Sequence, residues 1–353
     1  MDAPLAPPVA FQDNDLHELL QPLPKELRDE IWGTFGFSSL PRLGVYVSGA
    51  IGALWCFAFG ICGYGAFTHV GAPSTANVAV AFSIVAGLLN FAHFSTIVAV
   101  VVPDLLSQLD EVRISAKGTA MLNKTMKGMK FFTWFQILLD GGLSVVLAIE
   151  SEPGATSVVW PVAAAQWIAA VLLVGLALPV ALLFSLTQIA PSIAYLLAAD
   201  AAEQVAADVQ RATAATADYD DLATQTYRVH TEIVHLSRKM TPVIFLNAAN
   251  MLALVLSMLF VTTGPRPPRS DDLLGFGNWY NMFFHEYVTA FLGTFCAGLA
   301  VWGLSGPAKV TSASQKIASA VNDLRLNASA DGTVTLATSE QGHRIEILKR
   351  YYM

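Results

Sequence analysis

Long runs of apolar residues alternate with short polar segments along most of the 353-residue chain. A helix needs about twenty consecutive apolar residues to cross a bilayer. The pattern predicts six such helices, at residues 43–67, 76–102, 131–149, 158–198, 240–263 and 281–304. The expected fold is therefore all-α, a polytopic membrane protein whose transmembrane domain covers residues 43–304.

Helical patterning continues outside the predicted spans. The fourth apolar run passes without a helix breaker into "AADAAEQVAADVQ", so the region 199–239 is predicted to extend as helix into the cytoplasm. Apolar residues spaced alternately by four and three, as in a coiled coil, mark this region and the predicted helical tail 305–353. The first of these seams contains Leu222, Val229, Ile233, Leu236 and Met240, and the second contains Val310, Ile317, Val321 and Leu324. The spacing fits packing inside one chain and packing between subunits equally well.

Basic residues are unevenly distributed between the two sides of a six-span topology. Of the 20 Lys and Arg residues, only Arg266 and Arg269 lie in a connection on the far side. The others lie in the amphipathic N-terminal segment 1–42, after the second span, or in the two helical regions just described. Because Lys and Arg accumulate on the cytoplasmic side, both termini are predicted to be cytoplasmic. We expect an integral protein of the plasma membrane.

Composition narrows the function classes. The chain is 54% hydrophobic and 13% charged, whereas soluble domains are roughly one-quarter charged. The net charge of −7 argues against a nucleic-acid partner. The sequence contains neither a phosphate-binding loop nor a serine-hydrolase motif, and His230 and His235 of "HTEIVH" are too far apart around a helix to share a metal. We expect no enzymatic activity, cofactor or metal.

Polar residues inside predicted spans are the candidates for a binding site, because such residues are rare in lipid. Asp140 is the only acid deep in a span, and His93 is the partner expected for it. The full candidate set is Asn90, His93, Gln136, Asp140, Gln166, Asn250 and His285. These side chains either bind a ligand, a proton or a metal, or hydrogen-bond between helices to hold the bundle together.

The arrangement resembles a known superfamily of receptors. An amphipathic cytoplasmic start, short outer loops and a fourth helix that continues into the cytoplasm precede "YRVHTEIVHLSRKMTPVIF" at the fifth span and "ASQKIASAVNDL" after the sixth. This pattern resembles the insect odorant and gustatory receptors and their gustatory-receptor-like relatives. The resemblance implies tetrameric ligand-gated cation channels with a shared cytoplasmic anchor and an apolar ligand pocket. It also implies a pore-lining seventh helix with a Thr-Tyr…Gln-Phe signature, and since the sequence has no such motif we expect the last segment to be missing.

The expected function is therefore a membrane chemoreceptor, one homo- or hetero-oligomeric channel subunit that binds a small apolar or amphipathic ligand. Two alternatives remain open. One is a small-solute or proton-coupled transporter that uses Asp140 and His93. The other is an intramembrane metal-dependent hydrolase that uses these two residues with His285.

Overall fold

The computed structural model describes six stretches of the chain, and almost all of their residues are helical. The stretches are residues 21–35, 43–69, 73–151, 160–211, 219–263 and 305–321. The helices in them are α1 (Lys25–Phe35), α2 (Leu43–His69), α3 (Pro73–Thr96), α4 (Val102–Gln108), α5 (Ala116–Glu150), α6 (Trp160–Arg211), α7 (Tyr219–Thr263) and α8 (305–321). A π-helical turn (Ile97–Val101) joins α3 to α4, and the two-residue strands β1 (Gln21–Pro22) and β2 (Arg113–Ile114) pair antiparallel.

Five helical segments of the described chain are long and apolar enough to cross a membrane. They correspond to the first five predicted spans. The described part of the chain is thus nearly all helical and has the features of a multi-pass membrane protein. The sixth predicted span, residues 281–304, lies outside the described residues. The large apolar side chains left exposed on these helices include Phe131, Leu138 and Phe245, as expected of faces that contact lipid.

Two of these helices are much longer than a bilayer requires. At 1.5 Å per residue, the 52 residues of α6 and the 45 residues of α7 extend to about 78 Å and 68 Å, against about 30 Å of hydrocarbon. Both helices therefore continue well beyond the membrane. The fourth predicted span and the polar stretch that follows it form one unbroken helix despite Pro179 and Pro191.

The ends of α6 and α7 that project from the membrane pack with α8 around a separate apolar cluster. We call residues 199–211, 222–236 and 305–321 the anchor bundle. Its buried residues are Ala202, Val205, Ala206, Val209, Leu222, Val229, Ala313, Ile317, Ala320 and Val321. Leu222, Val229 and Ile233 of the first predicted seam and Ile317 and Val321 of the second thus pack together with α6 within a single chain. Leu236, Met240 and Val310 belong instead to the main core of the spans. Leu324 lies outside the described residues.

The end of the spans nearest the anchor bundle carries the lysines of α5, and we call it the basic end. Here α1 packs through Leu27 and Ile31, together with Leu23 just before the helix, and all three are buried. Ion pairs at its surface join Arg28 to Asp110 at 3.0 Å and Glu30 to Lys130 at 2.7 Å. A further ion pair joins α4 to α7, between Asp104 and Lys239.

The helix α5 begins fifteen residues before the predicted third span, at Ala116 rather than residue 131. Ser115 caps it, because its hydroxyl accepts a hydrogen bond from the backbone N–H of Gly118 at 2.8 Å. The cap is held in turn by Asp200 of α6, which accepts hydrogen bonds from the backbone N–H and the hydroxyl of Ser115 at 3.0 and 2.6 Å. This contact fixes the start of α5 on the anchor bundle.

Glu203, one turn beyond Asp200, joins three helices at the surface of the anchor bundle. It accepts from Lys117 of α5 at 2.7 Å and from Lys316 of α8 at 2.5 Å. These hydrogen bonds hold the pKa of Glu203 below its ordinary value. Because the side chains are partly exposed, we regard the pair of contacts as an orienting feature with little effect on stability.

Candidate functional site

A chain of polar side chains joins three helices inside the membrane-spanning bundle. Asn250 of α7 donates to the Oδ1 of Asn90 on α3 at 2.8 Å. The Nδ2 of Asn90 donates in turn to the Sγ of Cys56 on α2 at 3.2 Å. Asn90 is therefore the central residue of this network. Its side-chain oxygen accepts from α7, and its side-chain nitrogen donates to α2.

The fourth helix of this region, α5, presents its own polar residues on the side toward α2. The Nε2 of Gln136 donates to Asp140 at 2.8 Å, one turn along the same helix. The indole of Trp55 donates to the hydroxyl of Ser144 at 3.3 Å. Asp140 is within electrostatic range of the Cys56 thiol, so it lies near the Asn90 network.

Two carbonyl oxygens in the bundle have no hydrogen-bond partner among the described residues. These are the Oε1 atoms of Gln136 and Gln166, and both are buried. A buried acceptor without a partner carries a desolvation cost of about 1 to 3 kcal/mol. The two oxygens are therefore available to accept hydrogen bonds from a bound molecule or from water.

His93 does not lie beside Asp140, and the expected pairing of these two residues is wrong. The imidazole is 3% exposed, and its Nε2 has no hydrogen-bond partner in the described structure. It lines a small cavity of about 30 Å³ with Gln188 and Asn247, whose amides contact each other at 3.4 Å, and with Tyr195. A cavity of this size holds about one water molecule. The reason for the error is that His93 faces a cavity beside Gln188 of α6, whereas Asp140 is hydrogen-bonded to Gln136 of its own helix.

The sequence-based candidates thus divide into groups. Asn90 and Asn250 form one network, Gln136 and Asp140 lie next to it, and His93 occupies a separate cavity. Gln166 is near the other end of α6, and His285 is outside the described residues. Among the described residues, no three His, Cys, Asp or Glu side chains are arranged to hold a metal ion.

Sequence reasoning missed several members of these groups. Cys56 accepts a hydrogen bond although a buried thiol is usually treated as a small apolar group. Gln188 was not among the candidates, although a Gln inside the fourth apolar run is itself a signal of polar contact within the bundle. Asn247 precedes Asn250 by three residues on α7, and its neighbour across the interface is Gln188.

We compared the chain with family models, with curated proteins and with solved structures, and none of them matches it. The interpretation of the site therefore rests on its own side chains. These supply neutral amide and hydroxyl groups, one carboxyl group and an otherwise apolar lining. Such a set orients a small amphipathic molecule by one or two hydrogen bonds.

We expect Asn90→Leu to lower stability modestly, by about 1 kcal/mol, because hydrogen bonds between membrane helices contribute on average about 0.6 kcal/mol each. The change removes both bonds of Asn90 and leaves the amide of Asn250 without its acceptor. In the double variant Asn90→Leu with Asn250→Leu, neither amide remains, so much of the loss is recovered. Thermal unfolding in nanodiscs measures both variants. Additive losses in the double variant would show that the two amides do not interact.

Proposed function

We propose that this chain is a membrane chemoreceptor-like protein, a subunit of a ligand-gated cation channel of the gustatory-receptor-like type. The observation that supports this proposal most is the continuity of α6 and α7 from the membrane into the anchor bundle. Both helices also carry polar residues of the sites described above, Gln188 on α6 and Asn247 and Asn250 on α7. A ligand that displaces these helices inside the membrane would therefore also displace the anchor bundle.

The lining of the bundle supports a small amphipathic ligand. The interior is largely apolar, and the unpartnered oxygens of Gln136 and Gln166 offer acceptors for hydroxyl or amine donors. We propose Asn90, His93, Gln136, Asp140, Gln166 and Asn250 as the residues from which ligand contacts are drawn, with His285 of the predicted sixth span. A ligand without a donor would leave the two acceptors unsatisfied and would bind more weakly.

Orientation and assembly belong to the same proposal. The basic end is placed in the cytoplasm, together with both termini, because of the distribution of Lys and Arg. The subunits would assemble as tetramers in the plasma membrane, with the anchor bundles near the fourfold axis. In this arrangement the internal seam of each anchor bundle holds one subunit together, and exposed faces of the bundle contact the neighbouring subunits.

Whole-cell recording tests the channel function. Cells that express the protein from its complete transcript are exposed to a panel of small amphipathic alcohols, amines and esters. We expect at least one compound to evoke an inward cation current, and Asn90→Leu to raise the concentration needed for a half-maximal response. Ile84→Leu, a change on an exposed apolar position of the same helix, serves as the matched control. If no compound evokes a larger current in these cells than in untransfected cells, the proposal is contradicted.

A proton-coupled transporter is the second candidate, and the cavity around His93 favours it. A buried imidazole nitrogen that has no partner among the described residues, next to Gln188 and Asn247, can take up and release a proton. Proteoliposomes with a pH gradient and a fluorescent pH indicator inside test this candidate. Proton uptake that His93→Ala abolishes, without any evoked current, would favour the transporter over the channel.

A further inference from the structure

An open groove of about 550 Å³ runs between α1, α5 and α6 at the basic end. It is separate from the polar network and from the cavity of His93. Residues along its floor and walls include Met129, Trp134, Leu178, Leu186 and Ile189. The volume falls within the range of roughly 300 to 1,000 Å³ that is usual for ligand sites.

The interior of the groove is suited to a hydrocarbon chain. The three hydroxyl groups that line it, those of Thr34, Thr133 and Ser185, each donate to a backbone carbonyl of their own helix, at 2.8, 2.9 and 2.9 Å. The three hydroxyl hydrogens are therefore already engaged in hydrogen bonds. A polar ligand would find few free hydrogen-bond donors inside the groove. The groove follows α5 from Met126 to Ile137, a rise of about 16 Å.

This length matches the depth of one leaflet. Half of a hydrocarbon core of about 30 Å is about 15 Å. The lining residues of α6, from Leu178 to Ile189, cover the same rise. The groove residues of α5 from 131 to 137 lie in the predicted third span, where an acyl chain can run beside them, and Met126 to Lys130 lie at the level of the headgroups.

Positive charge is concentrated at the end of the groove nearest the membrane surface. From Ala116 to Leu139, α5 contains Lys residues and no Asp or Glu. Lys130 lines the groove and is paired with Glu30. Lys127, about one turn closer to the surface, is exposed and adds a positive charge beside the groove, whereas Lys124 lies on the opposite face of α5. Basic pockets between helices at this depth attract anionic lipid headgroups.

The mouth of the groove is kept open by a glycine. Gly33 of α1 lines the groove, and no atom lies within 4 Å of the position that a Cβ would take there. A large side chain at residue 33 would therefore enter the groove without a clash with α1 or its neighbours. This provides a way to close the groove that does not disturb the packing of the helices.

We propose that this groove binds one anionic glycerophospholipid of the leaflet at the basic end, with an acyl chain between α5 and α6 and its phosphate beside Lys127. The leaflet is the cytoplasmic one in the predicted orientation. The site lies beyond the proposed receptor function and does not depend on it. Its occupant would tie α1 to α5 and α6, and it would make the position of α1 sensitive to the lipid composition of the membrane.

Native mass spectrometry of the full chain tests the site. Protein delipidated in detergent is titrated with phosphatidylserine and with phosphatidylcholine of the same acyl chains. We expect one phosphatidylserine per chain, retained at a concentration at least tenfold lower than that needed for phosphatidylcholine. Glycerophosphate without acyl chains is expected not to compete. Equal retention of the two lipids, or displacement by glycerophosphate, would overturn the proposal.

Two variants distinguish binding of the acyl chain in the groove from binding of the headgroup by lysine. Gly33→Phe is expected to weaken retention of both lipids at least tenfold, whereas Gly128→Phe, also in open space but outside the groove, is expected to leave it unchanged. Lys127→Gln is expected to reduce the preference for phosphatidylserine below threefold without breaking the Lys130–Glu30 pair. If Gly33→Phe alters the number of subunits but not lipid retention, the groove is a protein contact and the proposal fails.

Discussion

Replacement of Ile317 by lysine is expected to unfold the anchor bundle while the spans remain folded. Ile317 is 0% exposed at the centre of the cluster formed by α6, α7 and α8. An ammonium group there would be buried without a partner, at a cost of several kcal/mol, unless the side chain bends toward water. We expect the bundle to lose about 3 to 5 kcal/mol of stability, the largest effect of any substitution considered for this protein.

Hydrogen exchange with mass spectrometry locates this effect. Protection should fall in residues 199–211, 222–236 and 305–321, whereas α2 and α3 should exchange as in the wild type. Ser319→Lys places the same charge two residues away on an exposed position of α8 and should change little, since such surface substitutions stay within about 0.5 kcal/mol. Equal loss of protection in the two variants would show that Ile317 is not in the interior of a bundle.

Replacement of Asp200 by alanine is the second large effect expected. Its carboxylate accepts from the backbone N–H and the hydroxyl of Ser115 and from Gln204, at 3.0, 2.6 and 2.6 Å. Hydrogen bonds to a charged group contribute about 1.5 to 3 kcal/mol each, and the alanine variant leaves the buried N–H of Ser115 unpaired. We therefore expect a loss of about 3 to 4 kcal/mol of stability.

Limited proteolysis measures how far the Asp200→Ala variant loosens the structure around Ser115. Without its carboxylate, the connection that contains Arg113 loses its tie to α6, and trypsin should cleave there more rapidly. Asp208→Ala is the matched control, because the side chain of Asp208, two turns further along α6, is partly exposed and pairs with Arg211. If both alanine variants were cleaved at the wild-type rate, the contact between Asp200 and Ser115 would have no structural role.

Apolar run length predicted the helical spans of the described chain well, because a helix that crosses lipid must be apolar along its whole length. It did not predict where α5 begins, because the lysine-rich turns from Ala116 to Lys130 are helical outside the membrane and are set by the cap at Ser115. The strands β1 and β2 have two residues each, too few for any alternation to be detected. The sequence likewise showed that α1 is amphipathic but did not show which helices it packs against.

The candidate site was predictable as a set of residues but not as a set of contacts. Counting residues along a span gives the depth of a side chain, whereas its partner depends on the rotation of the helix about its axis. This is why Asn90 and Asn250 were found at similar depth without being recognised as a pair, and why His93 was assigned to Asp140. The acceptor role of Cys56 has no signal in the sequence at all.

The number of subunits is the measurement that tests the proposed receptor most directly. Native mass spectrometry of the full chain in lipid nanodiscs is expected to find four copies, and a shift toward single copies in the Ile317→Lys variant, since a disordered anchor bundle cannot hold neighbouring subunits. The Ser319→Lys variant should remain tetrameric. A wild-type protein that is monomeric in the same nanodiscs would contradict the proposal that this chain is a channel subunit.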